Sequence, residues 1–129
     1  MVCKPGLAAA AYRQSLLEAQ EACRLIQDNG SYQNTLGGAQ YRAGDYQAAL
    51  ATLARSEKLN IVLYKGPFPG DRAFLAMAHH RLGKQEQAQS MLQRLREVMR
   101  QPRWKKDEES QAFVREAESL LSLKPGVRN

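Results

Sequence analysis

Apolar residues recur at spacings of three and four from about residue 7 to residue 122, and this rhythm is cut by glycine-bearing breaks, which predicts a series of α-helices. Residues 7–27 carry Leu16, Ala19, Ala22, Cys23 and Ile26 on one face. "DNGS" then breaks the helix, since Asn29-Gly30 is a turn dipeptide and Ser31 can cap the next helix. A helix over about 32–43 should end at Gly44, and another runs from Tyr46 to about Leu59. The stretch 61–70, "IVLYKGPFPG", holds two prolines and two glycines and predicts a loop that opens on a short extended piece. Helices over about 71–82 and 85–100 flank Gly83, and a last one over 108–122 stops at "KPG". In that last helix Ala112, Phe113, Ala117, Leu120 and Leu121 form one stripe, with Glu109, Arg115, Glu116 and Glu118 covering the rest, as on a helix that caps a stack. The pattern is all-α, with about six helices.

The helices repeat. At an offset of 39 residues Leu36, Ala39, Arg42, Gly44, Ala49, Leu53 and Arg55 meet Leu75, Ala78, Arg81, Gly83, Ala88, Leu92 and Arg94. At an offset of 34, Tyr12, Leu16 and Leu25 meet Tyr46, Leu50 and Leu59. A helix, a glycine-centred turn and a second helix at such a period predict an antiparallel helix-pair solenoid. Small residues at Gly37, Ala49, Ala76 and Ala88 would let the helices approach closely.

With Leu36-Gly37, Gly44, Tyr46, Ala49, Leu53 and Leu59, and again Leu75-Ala76, Gly83, Ala88, Leu92 and Val98, the chain resembles the tetratricopeptide repeat over about residues 12–100. The longer stretches "YQNTLGGAQYRAGDYQAALATL", "KGPFPGDRAFLAMAHHRLG" and "PRWKKDEESQAFVREAESLL" resemble the repeats near the C-terminal ends of long bacterial multidomain proteins that carry a Ser/Thr kinase or a WD-repeat propeller. The resemblance implies one domain over 1–129. In it 7–27 is the second helix of an incomplete repeat, 31–60 and 70–101 are repeats, and 107–122 is a capping helix. An unpartnered helix at 7–27 points to the tail of something longer, or to self-association through Leu16, Ala19, Cys23 and Ile26.

Composition narrows the class. At 129 residues, 43% hydrophobic and 25% charged, the chain fits one domain with a modest core. No apolar run reaches membrane-spanning length and no secretory signal is recognisable, so a cytoplasmic protein without membrane association is expected. Cys3 and Cys23 do not suggest a disulfide framework. Of the net charge of +6, most lies in "RLREVMRQPRWKK" at 94–106, followed at once by "DEES". Basic residues closing one helix and acids opening the next match the helix macrodipole. With Trp104 as the single aromatic of the run, a nucleic-acid surface of Arg94, Arg96, Arg100, Arg103, Lys105 and Lys106 is the disfavoured alternative.

No motif for catalysis stands out. Adjacent His79 and His80 project about 100° apart on a helix and are poorly placed to share a metal. Ser31, Ser56 and Ser90 have no nucleophile motif, and a kinase's phosphate loop and catalytic triplets are missing. The expectation is a non-enzyme without cofactor or metal, with His79 in the helix interface and His80 on a binding face. In the resembled family the first helix of each pair lines a concave groove. The matching positions include Asn34, Tyr41 and Arg42, then Met77, His80 and Arg81, with Tyr41 beside His80 and Arg42 beside Arg81. Such a groove suits an extended or helical peptide with an acidic side chain. The resemblance therefore implies a protein-binding scaffold module. A nucleic-acid-associated helical domain and an oligomerisation or spacer tail are the alternatives.

Overall fold

The computed structural model describes residues 9–25 and 29–122, and the described residues form seven helices and no strand. They are α1 (Ala9–Leu25), α2 (Gly30–Arg42), α3 (Tyr46–Tyr64), α4 (Pro69–Arg81), α5 (Gln85–Val98), the single turn α6 (Pro102–Lys105) and α7 (Glu108–Leu121). None is long and apolar enough to cross a membrane.

Local chemistry sets most of the boundaries. Asn29 caps α2 by accepting from the Tyr32 amide, so the cap falls on Asn29 rather than on Ser31. Asp45 and Asp107 do the same for α3 and α7. At the end of α2, Gly44 takes φ +88° and the amides of Gly44 and Asp45 return to the carbonyls of Tyr41 and Gln40. Gly83, at φ +77°, repeats this after α4, with Gly83 and Lys84 reaching His80 and His79. Both turns are closed by a left-handed residue for which glycine has no side-chain penalty.

The expected loop at 61–70 is mostly helix. Asn60, fully buried, donates to the Gly30 carbonyl, to Ser56 and to Asp71, and this anchor carries α3 one turn further than its composition suggests. The helix stops only at Lys65, a non-glycine residue in the left-handed region at φ 54°. Pro67 and Pro69 come next, the latter in the first turn of α4 where its missing N–H is no loss. The single turn α6 inside the basic run is a further element beyond the six expected.

From α1 to α5 each helix packs on the next in sequence. Gly30 and Gly37 of α2 lie against Asn60 and Leu53 of α3, so the two run antiparallel. Ser56 and Glu57 in the second half of α3 meet Asp71 and Arg72 at the start of α4, and Arg72 in turn donates to the Arg94 carbonyl late in α5. Helix α7 packs on α4 more than on α5. Helix α4 is surrounded by α2, α3, α5 and α7, and its run Ala73–Ala78 is buried on every side. That is why "AFLAMA" shows no amphipathic period. Helix α1 packs on α2, the helix that follows it, with Ala19 fully buried and Leu16 against the core, leaving Leu17 exposed. The expectations for the side chain of Cys23 and for Ile26 lie outside the described residues.

Candidate functional site

The site begins with the register of α2 on α4. Asn34 meets Asp71, Tyr41 meets Phe74, and Arg81 meets Tyr41, so α2 and α4 run side by side in the same direction. Phe74 then meets Phe113 of α7, 39 residues further on, with ring centroids 5.1 Å apart. The face expected to be an open groove is thus roofed by α7.

Under that roof sits Arg42. Its guanidinium carbon lies 5.7, 5.6 and 5.2 Å from the ring centres of Tyr12, Tyr41 and Phe74, and both terminal nitrogens donate to Glu116 of α7, one at 2.6 Å. Only 8% of the Arg42 side chain is exposed, against 25% for Glu116. Burial by itself would lower the Arg42 pKa, yet the hydrogen bonds and charge of Glu116 outweigh it and the pKa is raised. Planar, two-pronged pairing to a carboxylate with aromatic faces above and beside it is chemistry that arginine performs and lysine does not.

The other expected positions divide between core, turn and surface. Tyr41 is buried, which raises its pKa against the opposing hydrogen bond from Arg81 at 3.3 Å. Tyr41 therefore meets Arg81 where His80 was expected, and Arg42 meets Glu116 where Arg81 was expected. Met77 is fully buried core. His80 is 8% exposed and its Nδ1 lies 3.1 Å from Gln85 Oε1, so it closes the α4–α5 turn and does not face a groove. His79 takes the outer place instead, in a shallow cleft of about 400 Å³ with Glu86, Gln87, Ser90, Met91 and Arg94. Burial and then the charge of Lys84 lower its pKa. Asn34 is committed to Asp71 at 2.8 Å.

Asp71 is a residue that sequence reasoning alone misses. It is fully buried, accepts from Ser56 (2.5 Å), Asn34 (2.8 Å) and Asn60 (3.0 Å), and is tied to α2 and α3 at once. Burial pushes its pKa up to about 6 despite those three donors. The sequence does carry a signal in outline: an acid in the first turn of a helix whose middle, Ala73–Ala78, is built of Ala, Phe, Leu and Met alone.

The basic run is divided. Arg96 pairs with Glu118 at 3.0 Å on the surface, and Arg103 of α6 donates to the Tyr64 carbonyl and lies over Trp104. Among the described residues no group of three His, Cys, Asp or Glu is placed to hold a metal. Comparison with protein-family models, with curated proteins and with solved structures finds no match. The functional reading therefore rests on the geometry.

Proposed function

We propose that the chain is a protein-interaction module of tetratricopeptide type. In this reading α2–α3 and α4–α5 are successive helix pairs of a solenoid, and the first helices α2 and α4 present a face that receives an amphipathic helix through a carboxylate. The observation that carries it is the Arg42 site. Three aromatic rings and a buried guanidinium form a receptor for one acidic side chain, and the side chain it holds belongs to an amphipathic helix, α7. A partner helix with an acid and an aromatic three positions before it, as Phe113 stands to Glu116, would meet the same contacts once α7 gave way.

The test uses a labelled peptide of residues 107–122. The parent should take up little, because its tethered helix competes at an effective concentration of about millimolar. The Glu116→Lys protein, whose own helix is loosened, should capture the peptide, and adding Arg42→Glu should abolish capture. A folded Glu116→Lys protein that binds none would refute the proposal.

A further inference from the structure

The end of α3 carries three consecutive aliphatic residues that the fold leaves in solvent: Ile61, Val62 and Leu63 are 40%, 79% and 61% exposed. We infer that this turn is a docking knob for an acidic amphipathic helix of a partner protein. The inference rests on the reading of the chain as a protein-binding module and adds a second surface to it, apart from the Arg42 site.

Three observations converge on the knob. First, it is held rigid. The amides of Lys65 and Gly66 close on the Ile61 carbonyl, and Arg103 donates to the carbonyl of Tyr64. Behind it Tyr64 stacks on Phe68 at 5.3 Å, and Trp104 meets both rings edge-on at 5.8 and 5.4 Å. Apolar side chains displayed on a fixed support lose little freedom on binding, which is the condition for a preorganised contact.

Second, the charges flanking it along the chain have one sign. Lys58, Ile61, Val62 and Lys65 fall at the i, i+3, i+4 and i+7 positions of a helix, so the two exposed lysines bracket Ile61 and Val62 on one outward stripe, with Leu63 about 100° further round beyond Val62. Between Lys58 and Gly66 the chain holds no acid, and the preceding Glu57 is engaged by Arg72 at 3.2 Å. A helix with a leucine-like stripe flanked by glutamates complements both the apolar and the basic parts.

Third, the alternatives fit less well. A second copy of the chain would bring like charges together at Lys58 and Lys65. A lipid surface draws Trp and Tyr outward to the headgroup level, whereas Tyr64 and Trp104 are half-buried in their mutual cluster.

The experiment titrates the full chain into a fluorescein-labelled synthetic helix of leucines and glutamates at helical spacing, read by anisotropy at low and physiological salt. The parent should bind the peptide and ignore a version with lysine in place of glutamate. Val62→Ser with Leu63→Ser, and separately Lys58→Glu with Lys65→Glu, should each weaken binding about tenfold or more. The lysine pair should also account for the salt dependence. All four positions are exposed, so circular dichroism should match the parent. No binding by the parent, or binding by either double variant as tight as the parent's, overturns the inference. Loss of binding in Arg42→Gln alone would also overturn it while leaving the Arg42 reading in place. Binding of phosphatidylglycerol–phosphatidylcholine vesicles with the same dependence on Val62 and Leu63 would replace the protein partner with lipid.

Discussion

Asn34 on α2 donates to the carboxylate of Asp71 on α4 at 2.8 Å, and the same oxygen accepts from Ser56 on α3 at 2.5 Å, so one buried acid joins three helices. The charge that bears on it is that of Glu57, of like sign, which adds to the effect of burial.

This sets a pH dependence of stability. The folded pKa of about 6 lies above the ordinary value of 3.8, so between the two the native state binds more protons than the unfolded chain. The contribution of Asp71 is therefore fully present below pH 4 and is lost as pH rises through 6, by ~3 kcal/mol at about 1.4 kcal/mol per unit. Asp71→Asn keeps an acceptor for Ser56 and Asn34, and Asn60 can turn its unpartnered Oδ1 to the new amide. Chemical denaturation of both proteins from pH 4 to 7.5 should show the parent losing ground to Asp71→Asn as pH rises. A constant difference across the range would show that Asp71 does not titrate there.

Gly44 and Gly83 have open space where a Cβ would stand, so only their backbone angles resist substitution. Gly44→Val and Gly83→Val should each cost ~1–2 kcal/mol, with Asn at either position costing less. Thermal melts of the four variants check the order.

Gly37 is constrained for the opposite reason. It lies inside α2 with an ordinary helical backbone, but a Cβ there would stand 2.5 Å from Cγ of Leu53. Gly37→Ala, which helix propensity alone would favour, should therefore destabilise by ~1–3 kcal/mol through overpacking. Adding Leu53→Val should recover part of the loss, measurable as a coupling in a double-mutant cycle.

Breaking the Arg42–Glu116 pair leaves one charge in a nearly dry site. Arg42→Met and Glu116→Gln should each destabilise by ~2–4 kcal/mol: the first leaves the Glu116 charge, a quarter of whose side chain is in water, and the second leaves the nearly dry Arg42 charge with only an amide oxygen to donate to. Urea unfolding of both single variants and the double variant gives the pair energy. Equal stabilities for parent and Arg42→Met would mean that the aromatic contacts alone position α7.

How much of this is legible in the sequence depends on the range of the cause. Helix type, the caps at Asp45 and Asp107 and the left-handed turns at Gly44 and Gly83 arise from neighbours within four residues, and the sequence states those neighbours directly. The close approach at Gly37 is legible as a small residue at a helix-pair position, although its partner Leu53 is not. The last turn of α3 is hidden because "IVLYKG" looks extended by local composition, while the anchor that keeps it helical, Asn60 against Gly30 and Asp71, spans 30 and 11 residues.

The sequence by itself determined that the chain is a set of α-helices separated by glycine-bearing turns, since helix periodicity and turn chemistry are local. Only the tertiary structure decided where those helices meet. It put α7 over α2 and α4, turned Arg42 from an expected groove residue into a buried partner of Glu116, sent His80 inward and His79 outward, and made Asp71 a shared acceptor for three helices. The physical reason is that burial and pKa are set by residues 11 to 74 positions away along the chain. A carboxylate or a guanidinium carries the same letter in water and in a core, and its meaning is fixed only when the neighbours that remove its water are in place.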